Sequence, residues 1–73
     1  MSNPQEVKAE VGGSVWKIEV SVGQAVAEGD TLLIVESMKM EIPLASPVSG
    51  TVQEIRVAES DMVEEDQVLL TIG

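Results

Sequence analysis

An all-β sandwich or barrel is the fold this sequence predicts, on three observations. The chain repeats itself at an offset of 37 positions, the repeated residues are mostly β-branched or aliphatic, and turn signals recur every few residues. At that offset Val11 falls on Val48, Gly13 on Gly50, Val15 on Val52, Ile18 on Ile55 and Val20 on Val57. Further along, Val26 falls on Val63, Glu28 on Glu65, Leu32 on Leu69 and Leu33 on Leu70, with Ser14 and Thr51, and Val35 and Ile72, as similar pairs. No window carries a 3.6-residue apolar stripe of helix length. Two copies of one β unit can pack face to face over a shared core. That is how a chain of 73 residues, which buries only about 60% of its unfolded surface, holds together without disulfides or metal.

The elements follow in chain order. Met1 to Gln5 is polar with an early proline and reads as a loose tail, leaving residues 6–73 as one domain. Each half then reads as strand, turn, short strand, turn, strand. Ser14 to Val20 and Thr51 to Val57 are the opening strands. Gly23-Gln24 and Ser60-Asp61 mark the first turns, and Glu28-Gly29-Asp30 and Glu65-Asp66 the second. Thr31 to Ser37 and Gln67 to Ile72 close each half. In these closing strands Leu32 and Val35, like Leu69 and Ile72, stand three apart; strict alternation forbids that spacing, so a bulge or a doubly buried strand is expected. Pro43 and Pro47 lack amide donors, which assigns their segment to an edge strand or a loop. Trp16 pairs with Gln53 in the repeat, so it is expected to be partly exposed, as cover for a sheet edge or as a partner contact. The link between the halves, Ser37 to Ala45, should lie at the opposite end of the molecule from the chain termini.

Composition narrows the function. There is no Cys, His, Tyr or Phe, and Trp16 is the only aromatic residue. A disulfide framework, a thiolate metal site and the usual neutral-pH general base are therefore missing, and an autonomous enzyme is not expected. The net charge of −9 sets 13 acids against Lys8, Lys17, Lys39 and Arg56. Phosphate binding needs a basic stripe and anionic lipid repels such a chain, so neither nucleic acid nor a membrane is an expected partner. Apolar runs such as Leu32-Leu33-Ile34-Val35 are far shorter than the ~20 residues that span a bilayer. With no secretory leader pattern at the start, the expected location is the cytoplasm.

One segment breaks the repeat. Glu36-Ser37-Met38-Lys39-Met40-Glu41 lies between the halves, and under the offset Lys39 maps beyond Gly73, so the second copy has no equivalent lysine. A two-residue loop on Met38-Lys39 would demand positive φ at non-glycine positions, a strain common in functional turns. A lysine amine on such a tip can enter another enzyme's active site and attack an activated acyl group there. Met38 and Met40 are flexible and polarizable, suited to fitting more than one partner. The plain alternative is that both methionines pack beside the strands and Lys39 is an ordinary turn residue.

The same hexapeptide resembles the attachment motif of biotinyl domains, whose signature is Glu, then Ala or Ser, then Met-Lys-Met. The resemblance covers nearly the whole chain. Gly23-x-x-Val26-x-x-Gly29-Asp30-x-Leu32 and Ser46-Pro47-x-x-Gly50-x-Val52 are similar to the family's segments before and after its hairpin. It implies a flattened barrel of two antiparallel four-stranded sheets related by a quasi two-fold axis, with the modified lysine on a protruding turn. It implies too that a biotin protein ligase joins biotin to Lys39, and that carboxybiotin then shuttles between a biotin carboxylase and a carboxyltransferase acting on an acyl-CoA or a keto acid. The domain is then a monomeric, non-catalytic carrier. Met38 and Met40 would align the cofactor in partner sites, and Glu36, Ser37 and Glu41 would serve ligase recognition. Their plain alternative is ordinary strand-edge charge.

The sequence departs from the family pattern at Ser60-Asp61, where Gly-Asp is usual, and at Asp66, where Gly is usual. Ala9-Glu10-Val11-Gly12-Gly13 replaces a segment that usually contains proline. Two other functions stay open. A lipoyl domain shares the fold and carries lipoate on the same lysine, although it usually has Asp where Met38 stands. An unmodified interaction domain would not need Met-Lys-Met.

Overall fold

The structure is a computed structural model and describes residues 4–73. Eight strands run β1 (Gln5–Lys8), β2 (Gly13–Ile18), β3 (Ala25–Val26), β4 (Thr31–Ser37), β5 (Met40–Ala45), β6 (Gly50–Ile55), β7 (Met62–Val63) and β8 (Val68–Ile72). They form two antiparallel four-stranded sheets in the orders β1-β8-β6-β3 and β5-β4-β2-β7. The repeat is legible strand by strand: β2 maps onto β6 and β3 onto β7 residue for residue, and β4 onto β8.

The two copies do not each own a sheet. In each sheet the two inner strands come from one half and the two edge strands from the other. The short strands β3 and β7 have only two residues each, so each finds its partner across the repeat, on β6 and β2. The repeat alone gives six strands, and two more complete the two four-stranded sheets that the resemblance implies. Gln5 pairs with Ile72 at the start of β1, inside the span read as a tail; Pro4 before it is exposed, and residues 1–3 lie outside the described residues. The segment read as a link continues as β5, an edge strand in which Pro43 withholds no ladder hydrogen bond from an inner neighbour.

The core is duplicated as well. Val15 and Val52, Val26 and Val63, Leu32 and Leu69, Leu33 and Leu70, Val35 and Ile72, and Val7 and Leu44 are buried pairs at the repeat offset. The irregular spacing in the closing strands resolves into bulges. Leu32 has no Cα partner on β5 and Leu69 none on β1, so each is an extra residue that lets two neighbours face inward together. Trp16 and Gln53 are the matching extra residues of β2 and β6, and Trp16 stays half exposed.

The loops repeat their hydrogen bonds. Gly23 N–H donates to Val52 O at 2.8 Å, and Ser60 N–H to Val15 O at 2.7 Å. Gly29 N–H donates to Ser46 O at 2.8 Å, and Asp66 N–H to Ala9 O at 2.9 Å. All four turns put positive φ at their third residue: 91° at Gly23, 92° at Gly29, 78° at Ser60 and 69° at Asp66.

Candidate functional site

The β4–β5 hairpin carries the breaking segment. Its ladder pairs Ile34 with Pro43, Val35 with Ile42, Glu36 with Glu41 and Ser37 with Met40, which leaves a two-residue loop of Met38 and Lys39. Both adopt left-handed backbone, with φ of 53° and 65°. That is the type I′ turn a tight hairpin prefers, because its twist matches that of the strands. Asn-Gly is its usual occupant; a methionine and a lysine there cost about 1–2 kcal/mol each. The ladder below holds the turn in place, with Val35 buried on β4. The expectation of a strained two-residue turn on these residues is met.

The turn turns its side chains outward. Met38 is 92% exposed and Met40 65%, and Lys39 between them is exposed too. The methionines therefore do not pack into the barrel, which removes the plainest account of their presence. Among the described residues the ion pairs are Lys17 with Glu19 at 3.3 Å and Arg56 with Glu54 at 2.6 Å, and neither involves Lys39. Its amine is a reachable primary amine, the donor an amide-linked cofactor needs. Ser37 is half-buried at the root of the turn, facing Met40.

Glu36 and Glu41 stand directly opposite each other on the exposed face. Like charges across a ladder destabilise it, so the fold has no use for this pair. Close beside them, Gly13 lets β2 approach: a Cβ at Gly13 would overlap the Glu36 carbonyl oxygen. The register then runs Met62, Ser14, Glu36, Glu41 across four strands. Met62 in this row was missed from sequence, and its one signal was its mismatch with Ala25 at the repeat offset.

The family model described as "Biotin-requiring enzyme" matches residues 1–72. The chain belongs to that family. As a biotin/lipoyl domain it is 41% identical over 67 residues to the biotin/lipoyl attachment protein of Bacillus subtilis, covering 92% of each. It is 37% identical over 71 residues to the pyruvate carboxylase of Staphylococcus aureus, covering 97% of this chain and 6% of that enzyme. The urea carboxylase of Kluyveromyces lactis superposes with a TM-score of 0.93 at 32% identity, over 100% of this chain and 6% of that one. This domain is thus the counterpart of a small part of much larger carboxylases, and it also resembles a protein of its own size.

Proposed function

We propose that this biotin/lipoyl domain is a carboxyl carrier, loaded with biotin on Lys39 by a biotin protein ligase and visiting a biotin carboxylase and a carboxyltransferase in turn. One observation carries the reading: a strained type I′ turn displays a lysine, in no ion pair among the described residues, between two exposed thioethers. In loading, the deprotonated Nζ attacks the activated acyl carbon that the ligase supplies. An amide bond forms, the activating group leaves with its bonding electrons, and the amine proton passes to a base of the ligase or to solvent. Biotin, once attached, supplies a ring nitrogen that accepts and releases a carboxyl group.

The chain itself tethers and presents. Holding the ring on a short arm raises its concentration at each visited site to roughly millimolar. Met38 and Met40 offer adaptable apolar contact on either side of the arm, fitting two unlike active sites. Glu36 and Glu41, a pair the ladder does not want, are assigned to ligase recognition.

Intact mass after co-expression with a biotin protein ligase tests the reading. The wild type should gain one biotin, and Lys39→Arg none. A gain matching lipoate, which the same amine could carry and which the Bacillus subtilis relative's name includes, would replace biotin in this reading. No gain with either ligase would leave an unmodified interaction domain.

A further inference from the structure

The internal repeat supplies a control for much of the surface, because outer-face positions of β2, β4 and β7, and of β5 beyond Glu41, have counterparts in the strands of the other sheet. On the β5-β4-β2-β7 sheet that control gives a consistent difference. Trp16, Ile34, Pro43 and Met62 stand where the other sheet has Gln53, Thr71, Glu6 and Ala25. All four alternate with inward-facing residues: Val15, Leu33 and Val35, Leu44, and Val63 are buried. Trp16 is 48% exposed and Met62 75%, Pro43 is exposed and Ile34 half-buried. Over the other sheet the counterparts Glu6, Gln53 and Thr71 join Lys8, Glu54 and Arg56 in lining a shallow polar groove. Polar side chains therefore satisfy these positions, and the fold does not require apolar ones. Single exposed apolar residues are normal; four gathered on one face, with polar or small counterparts on the other, form a surface.

Its position is set by the register. Lys17, next to Trp16, pairs with Ile34, and Ile34 pairs with Pro43. One row nearer the turn run Met62, Ser14, Glu36 and Glu41. At about 3.3 Å per residue, Trp16 lies roughly 15 Å from Lys39, within the footprint of any protein whose active site receives that lysine. The electrostatics are one-sided. Glu36 and Glu41 front the patch, Glu59 flanks it where its carboxylate accepts from Ile18 N–H at 3.2 Å, and Lys17 is paired with Glu19. The chain's net charge of −9 disfavours a second copy as occupant.

We propose that this outer face is where the ligase docks, with Trp16 and Met62 seated in an apolar depression and Glu36 and Glu41 against basic side chains. The inference rests on the reading that Lys39 is loaded. It falls to the ligase among the partners because loading happens before any cofactor is present. That enzyme has only protein surface to recognise, and an aromatic and a thioether anchor in an acidic rim supply both affinity and steering.

The test is steady-state transfer of biotin from a biotin protein ligase, with ATP and magnesium, to the purified chain at varied concentration. Replacing the anchors by their own counterparts, Trp16→Gln with Met62→Ala, should raise KM by roughly tenfold or more and leave kcat within about twofold. Trp16→Phe should restore most of the loss, added salt should raise the wild-type KM, and Gln53→Ala on the opposite face should change nothing. Circular dichroism melts of each variant separate docking from folding. An unchanged KM in the folded double variant, with the wild type loading normally, overturns the docking face and leaves Lys39 standing. A wild type that accepts no biotin overturns both. A wild-type dimer that the double variant converts to monomer makes the face a self-contact and overturns the proposal.

Discussion

The first half of the chain, β1 to β4, and the second, β5 to β8, build the same structure with different turn residues and different endings. Where the first half places Gly23 and Gly29 at its left-handed turn positions, the second places Ser60 and Asp66. Where the first half has Glu36 at the root of the lysine hairpin, the second has Gly73 as its counterpart. The side-chain caps show how closely the scaffold is otherwise kept. Gln24 accepts from Ser21 N–H at 3.1 Å and Asp61 from Ala58 N–H at 2.9 Å; Asp30 accepts from Ala27 N–H at 2.9 Å and Gln67 from Glu64 N–H at 3.0 Å. Gln and Asp have exchanged places between the halves, and the bond survives. What the halves share is needed to close the barrel. What they do not share, the turn lysine and the apolar outer face, has to be explained by something other than closure.

Four perturbations break or sharpen that contrast. The largest effect belongs to Lys39→Arg, which should abolish ligase-dependent mass gain while leaving the thermal midpoint unchanged, since the side chain is exposed and in no ion pair among the described residues. Next comes Gly13→Ala against Gly50→Ala. The first drives a methyl into the Glu36 carbonyl in mid-chain and should cost about 3 kcal/mol or more in urea unfolding. The second meets the Ile72 side-chain Cγ2 at 2.8 Å and Gly73 O at 2.9 Å, a milder overlap, and should cost about half as much. Equal costs would mean that the milder overlap is no easier to relieve than the one at the hairpin root. Leu32→Ala and Leu69→Ala, paired bulge residues in one core, should each cost about 2–5 kcal/mol and agree with each other, measured the same way. The smallest effect has the opposite sign. Ser60→Gly and Asp66→Gly should each stabilise the domain by about 1 kcal/mol, because glycine relieves positive φ that Ser and Asp tolerate at a cost. The reverse changes, Gly23→Ser and Gly29→Asp, should destabilise by a similar amount.

The repeat made most of this architecture readable in advance. Thr31 to Ser37 was bounded as observed, and the three-residue spacing of Leu32 and Val35 announced the bulge. The opening strands begin one residue earlier and end two residues earlier than the sequence suggests, since Val20 is buried beyond the end of β2 and its apolar character continues the pattern. β1 was hidden for a different reason, and β5 was legible only as the edge-strand option for the Pro43 segment. Their copies are poorly matched, with Gln5 against Ile42, Glu6 against Pro43 and Lys8 against Ala45, and β1 buries only Val7. Interleaving of the halves was invisible because a repeat states which residues correspond and says nothing about which copy they pair with. At the site, the break between the repeats placed the hairpin tip, and positive φ followed once a two-residue loop was set on Met38 and Lys39. The outer face did not, because Trp16 and Met62 are 46 positions apart and only the register brings their strands together.

The inner position of β4 has a mechanical consequence. A tug on the turn, such as an enzyme releasing its grip would exert, runs down a strand bonded to β5 on one flank and to β2 on the other. β5 hangs from the same turn and is drawn the same way, so the β2–β4 ladder takes the load, and its bonds bear it together in shear and cannot peel open one after another. The hairpin is thereby rooted in an inner strand of the barrel.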